Sequence, residues 1–133
     1  MKTKISTLAT VLLVTLAMNL FAERIEKEVA EQIGRNYYWE ASRDSKTLKY
    51  DEITLNLFTA KSVNETPLYY IFNINAKDGF IIVSADDNVI PVLGYSFEGS
   101  WDGSELAPAF EQMLSVFENQ IRTVIEVQIE GGR

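Results

Sequence analysis

The sequence predicts an α+β fold: a four-stranded antiparallel meander with an N-terminal and a C-terminal helix packed on one face. Three observations carry that expectation. Apolar residues recur at helical spacing near both ends of the chain, and they alternate or run unbroken between them. The links between the alternating segments are short and rich in Asn, Asp, Gly and Pro, which suits neighbouring antiparallel strands. Residues 79–96 hold two β-rich runs, Phe80 to Val83 and Val89 to Tyr95, on either side of the polar turn Ala85-Asp86-Asp87-Asn88. Both of these runs are expected to be buried.

The first helix is expected over residues 23–38, where Ile25, Val29, Ile33 and Tyr37 recur at intervals of four, with Glu26, Lys27 and Gln32 on the other side. Residues 39–51 are polar and aperiodic, which predicts a surface connection. Ile53, Leu55 and Leu57 alternate with Thr54 and Asn56, giving a strand over residues 52–60. The cluster Ser62-Val63-Asn64-Glu65-Thr66-Pro67 turns the chain into a second strand, residues 68–74. Its two faces are Leu68, Tyr70, Phe72 and Ile74, and Tyr69, Ile71 and Asn73. Ala76-Lys77-Asp78-Gly79 forms a hairpin connection whose glycine can take a positive φ. Pro91 donates no ladder hydrogen bond and belongs at the start or edge of the fourth strand. A loop is expected from Phe97 to Leu106. Pro108 fits the first turn of a final helix, in which Phe110, Met113, Leu114, Phe117, Ile121, Val124 and Ile125 recur every three or four residues, as far as about Ile129.

Residues 1–22 read as an export signal to be removed: a basic start at Lys2 and Lys4, an apolar stretch from Leu12 to Leu20, and the small Ala22. The remaining domain, residues 23–133, keeps 10 Lys plus Arg against 19 Asp plus Glu, a net charge near −9. Such a surface repels phosphate backbones and anionic lipid, which argues against nucleic acid and membrane and is compatible with a basic protein partner. The expected compartment is the periplasm or the exterior, yet no cysteine is present to form a disulfide.

The chain has neither cysteine nor histidine. The usual nucleophile–base pairs of hydrolytic catalysis therefore cannot be assembled, and no enzyme activity is expected. The Asp86-Asp87-Asn88 cluster lacks the spaced ligands of a calcium loop and fits a tight turn, and Asn73 and Asn75 fit a strand end. No phosphate-cradling glycine loop precedes a helix, so neither metal, cofactor nor small-molecule substrate is expected. Trp101, in a loop of Gly, Ser and Asp, is either an interface anchor or a ring folded back over the open edge of the core.

Three runs, Tyr69-Tyr70-Ile71-Phe72-Asn73-Ile74, Gly79-Phe80-Ile81-Ile82-Val83-Ser84-Ala85-Asp86-Asp87 and Pro91-Val92-Leu93-Gly94-Tyr95-Ser96, precede Pro108-Ala109-Phe110 and the helix ending Glu118-Asn119-Gln120-Ile121. Together they resemble the propeptide of streptopain-type secreted cysteine peptidases and the stand-alone inhibitors related to it, the Spi family. The resemblance implies a sheet with helices that docks non-covalently on the peptidase and blocks or distorts its catalytic site. It also implies that the loop before the last helix approaches that site. Here this loop runs from Phe97 to Ala109, and its candidate contacts are Trp101, Asp102, Ser104, Glu105, Leu106, Pro108 and Ala109. The family pattern places an asparagine near Pro108 or Ala109, so an asparagine-mediated contact does not carry over. In a zymogen the peptidase domain would follow the last helix, whereas this sequence stops at Arg133. The expectation is thus an inhibitor of a streptopain-like cysteine peptidase without an enzyme attached. A propeptide acting in trans as a folding helper, and a non-inhibitory exported interaction module, are the alternatives.

Overall fold

The computed structural model describes residues 24–104 and 108–131; residues 1–22, expected to be an export signal, and two candidate contacts, Glu105 and Leu106, lie outside the described residues. In chain order the elements are α1 (Lys27–Ser42), a 3-10 turn (Tyr50–Glu52), β1 (Leu55–Val63), β2 (Thr66–Ile74), β3 (Phe80–Ser84), β4 (Val92–Ser96) and α2 (Pro108–Gly131). The four strands form one antiparallel sheet in the order β1-β2-β3-β4, the expected meander. Among the described residues no helix is long and apolar enough to cross a membrane.

The helices do not share a face. Tyr70, Phe72, Ile74, Ile81 and Val83 pack with Ala30 and Tyr38 of α1, whereas Tyr69, Ile71 and Ile82 pack with Ile121 of α2. The central strands β2 and β3 are apolar at almost every position, so both of their faces must be taken out of water. One helix on each side does this, and two helices on one side would leave Tyr69, Ile71 and Ile82 exposed.

Irregular pairing adjusts which residues reach which face. Lys61 faces Tyr69 but Ser62 faces Pro67, so Leu68 is an extra residue in β2 and joins Tyr69 in the α2-side core rather than Tyr70 on the other. Phe58 in β1 and Leu93 in β4 are bulged in the same way. The β1–β2 turn is only Asn64-Glu65, both at positive φ (50° and 67°), and the rest of the 62–67 cluster is strand.

α1 buries a stripe displaced by one residue from the expected one. Its buried residues are Ala30, Gly34, Tyr38 and Ser42, while Val29 and Tyr37 remain 50% and 41% exposed. Small residues win because the helix lies close to the sheet: a Cβ on Gly34 would stand 2.9 Å from Leu55 Cδ2 and 3.2 Å from Ile81 Cγ2. The helix also continues through Trp39 to Ser42, and Leu48 packs on the core, so residues 39–51 are only partly a surface connection. β1 starts at Leu55, after the 3-10 turn, and its Leu57 is 42% exposed on an edge strand. β4 is the other edge; it begins after Pro91 and is only partly buried, unlike β3.

Ile121 is the one fully buried residue along the 24 residues of α2. A polar latch assists it: Tyr69 Oη donates to Glu118 Oε1 at 3.4 Å, and Lys61 Nζ lies 3.3 Å from the same oxygen. Burial, reinforced by the Glu118 charge, raises the Tyr69 phenol from its ordinary value of 10.0 to about 12. The folded state thus favours the neutral phenol. That stability is complete below about pH 10 and is lost as the pH rises towards about 12. Denaturant midpoints measured across this range should fall steeply for the native chain and less steeply for Tyr69→Phe. Buried Tyr38 and Tyr70, whose phenols are also raised, sustain the residual slope.

Candidate functional site

The stretch from Phe97 to Ser104 carries no helix or strand, yet its first half is held at several points. Gly79, at φ 111°, donates its N–H to the Gly99 carbonyl at 2.8 Å, and Asp78 and Gly99 form a parallel bridge. Lys46 Nζ donates to the Phe97 carbonyl at 2.7 Å and pairs with Asp78 Oδ1 at 3.7 Å. Tyr38 Oη donates to the Asp78 carbonyl at 2.6 Å, so α1 braces the same corner.

Trp101 ends this root. Its ring lies 5.2 Å from Phe110, 5.5 Å from Phe80 and 5.9 Å from Phe58, centroid to centroid. Of the two readings open to it, the structure shows the folded-back ring, partly buried on the α2 side of the sheet. Aromatic pairs of this geometry contribute about 0.5–1.5 kcal/mol each, enough to fix where the loop leaves the core. The Asn73 side chain takes both backbone groups of Trp101: its Oδ1 accepts the N–H at 2.8 Å and its Nδ2 donates to the carbonyl at 2.9 Å.

Beyond Trp101 the chain projects. Asp102, Gly103 and Ser104 are exposed, as are Pro108 and Ala109 in the first turn of α2. The Ser104 N–H donates to Asp102 Oδ1 at 2.9 Å, an Asx turn, with Gly103 at φ 86°. Hydrogen bonds from the Ser104 side chain and then its backbone hold the Asp102 carboxyl below its ordinary range, so the tip carries a negative charge. The candidate contacts therefore divide by role: Trp101 is an anchor, Asp102, Ser104, Pro108 and Ala109 are displayed, and Glu105 and Leu106 lie outside the described residues.

Among the described residues no group of three or more His, Cys, Asp or Glu is placed to hold a metal ion. In the β3–β4 turn, Asp86 Oδ1 accepts the Asn88 N–H at 2.8 Å and Ser84 Oγ donates to the Asp86 carbonyl at 3.1 Å, so these side chains are occupied in shaping the turn. The residue that sequence reasoning missed is Asn73, read as a strand end. Its signal was an amide on the same strand face as Tyr69 and Ile71, where a polar group needs a partner.

The family model described as Spi protease inhibitor matches residues 22–121. A relative, the Thiol protease/hemagglutinin PrtT of Porphyromonas gingivalis, is 31% identical over 113 residues, which is 84% of this chain and 13% of the relative. The chain thus spans only a small part of the length of that curated relative. No solved structure gives a significant match. The matched residues take in α1, all four strands, the loop with its tip and the first half of α2, and on that extent the chain belongs to the Spi protease inhibitor family.

Proposed function

We propose that the chain is a non-covalent inhibitor of a streptopain-like secreted cysteine peptidase, and that the tip Asp102-Gly103-Ser104, with Pro108 and Ala109, occludes the active site. The observation that carries this reading is the division of the loop: a root held by Gly79, Lys46 and Asn73, and an exposed, charged tip. Holding the root lowers the ordering cost of binding. A chain without cysteine or histidine lacks the usual nucleophile and base, so it acts by shape and charge and has no activity of its own. Residues 1–22 act as an export signal, which brings residues 23–133 to the peptidase in the periplasm or outside the cell.

The second reading, a propeptide acting in trans as a folding template, is favoured by the match to a short stretch of a protein named as a thiol protease. The two differ in what happens to the chain. It is titrated into a mature streptopain-like cysteine peptidase while hydrolysis of a small peptide substrate is followed, and the mixture is then run on a gel. Inhibition predicts activity lost near one equivalent with the chain intact; a template is digested. Full activity with an intact chain contradicts both and favours a non-inhibitory interaction module.

The tip also makes a mutational prediction. Asp102→Lys with Ser104→Lys should raise the inhibition constant at least about tenfold, roughly 1.4 kcal/mol, with stability changed by no more than about 0.5 kcal/mol. Inhibition assays beside melting curves check this. Trp101→Ala is a poor probe of contact, because it also removes the ring from Phe80 and Phe110.

A further inference from the structure

We propose that Asn73 is the positioning residue of the inhibitory loop: its carboxamide sets the orientation of the Trp101 backbone and thereby aims the tip. This rests on the inhibitory reading above and names the group on which the site's geometry depends.

Asn73 lies in β2, opposite Asn56 of β1 and Phe80 of β3. With strands on both sides, its own backbone groups belong to the sheet, and its side chain is free to serve a segment 28 residues away. It bonds both backbone groups of one residue, the N–H at 2.8 Å and the carbonyl at 2.9 Å, as a neighbouring strand would. A single hydrogen bond would fix a distance and leave rotation free. Two from one planar group fix the peptide planes on both sides of Trp101.

That restraint falls where it is needed. Gly99 and Gly103 flank Trp101 at φ 78° and 86°, and a Cβ built on either meets nothing within 4 Å. Side-chain packing therefore restrains neither glycine, and between the Gly99 carbonyl held by the Gly79 N–H and the Asx turn at Asp102 the backbone depends on the Asn73 clamp. The aromatic contacts hold the indole, but the direction in which Asp102 leaves is set by the backbone. Asparagine alone has the needed shape: aspartate accepts but cannot donate when ionised, serine has a single hydroxyl, and glutamine is a methylene longer.

The chemistry gives a test that a merely structural role does not pass. In Asn73→Asp the ionised carboxylate faces the Trp101 carbonyl without a proton between them, and the clamp fails. Protonated, the same carboxyl donates to the carbonyl and accepts the N–H, and the clamp returns. Asn73→Ala has no such recovery. Affinity for a mature streptopain-like cysteine peptidase is measured for the native chain and both variants at pH about 7.5 and about 4, where an aspartate whose ordinary value is about 3.9 and whose charge is disfavoured by the facing carbonyl is largely protonated, each compared with the native chain at the same pH, which carries the same Asp102, Glu98 and Glu111. Trp101 amide exchange and melting temperature are recorded alongside.

The expected result at the higher pH is at least about tenfold weaker binding by both variants, with faster Trp101 amide exchange. At the lower pH Asn73→Asp regains most of the affinity and protection, and Asn73→Ala regains neither. Native-like binding by Asn73→Ala overturns the proposal. So does an equal loss by both variants at both pH values that tracks a fall in melting temperature. Should Asn73→Ala not fold, the pH response of Asn73→Asp decides alone. If the native chain itself does not bind the peptidase, the inhibitory reading fails, and the positioning role falls with it.

Discussion

Gly79→Ala is expected to destabilise the domain by about 3–5 kcal/mol, the largest effect among glycine-to-alanine changes at the described residues. Two causes act together. The residue sits at φ 111°, where an L side chain is strained, and a Cβ there would stand 1.8 Å from the Ser96 carbonyl oxygen and 2.6 Å from its carbon. Those atoms are backbone and cannot rotate away, so β4 or the β2–β3 turn must move. The movement also breaks hydrogen bonds: the Gly79 carbonyl accepts the Ile74 N–H at 2.9 Å, and its N–H holds Gly99 at the loop root. Equilibrium denaturation measures the effect. A loss below about 1 kcal/mol would mean that the turn relaxes without strain. Where Gly79→Ala still folds, its inhibition should be weaker than that of the native chain, because the root has shifted.

The second large effect is Gly34→Leu, expected to cost about 2–3 kcal/mol by forcing α1 off the sheet. Gly34 faces Leu55, Ile81 and Val83 within 3.3 Å of where a Cβ would lie, so a larger side chain has no room. Gly34→Ala is the informative contrast. Its methyl meets the flexible end of Leu55 at 2.9 Å and the stiffer γ-methyls of Ile81 and Val83 at 3.2 and 3.3 Å, a crowding offset by alanine's gain of about 1 kcal/mol of helix propensity over glycine, so the net change should stay within about 1 kcal/mol. Thermal melts of the two variants check this. Similar losses for both would show that the helix depends on the backbone freedom of Gly34 rather than on its small size.

These two glycines also mark what was legible in the sequence. Gly79 was readable as a turn glycine, because it ends a polar run between two β-rich segments. Its contact with Ser96 was not, since that depends on β4 returning alongside β3. Around α1, Ile25 just before the helix and Val29, Ile33 and Tyr37 within it form a regular stripe in the sequence, and so do Ala30, Gly34, Tyr38 and Ser42 beside it. Periodicity identifies a helix but does not choose between adjacent stripes; close approach to the sheet does. The placement of the helices was written in the alternation of β2, where Tyr69 and Ile71 are as apolar as Tyr70 and Phe72, so that each face required its own cover. Leu68 could not be assigned to its face, because the bulge that turns it arises only in pairing with β1.

The candidate loop was legible as a location. Gly, Ser and Asp around Trp101 marked an exposed connection ahead of Pro108, and the structure displays Asp102, Ser104, Pro108 and Ala109 there. Its internal logic was not legible. Asn73 and Trp101 are 28 residues apart, and the ring partners Phe58, Phe80 and Phe110 come from three separate elements. Tertiary partners of this kind leave no local pattern in a single sequence.

Amide hydrogen exchange of the chain, alone and bound to a mature streptopain-like cysteine peptidase, tests the central claim most directly, that the tip of this loop occludes the enzyme. The account predicts new protection concentrated at residues 102–104 and in the first turn of α2 from Ala109, with the already held root at Gly99 and Trp101 little changed. Protection confined to other surfaces, such as the exposed side of α1 or the far end of α2, with the tip exchanging as freely as in the unbound chain, would contradict it.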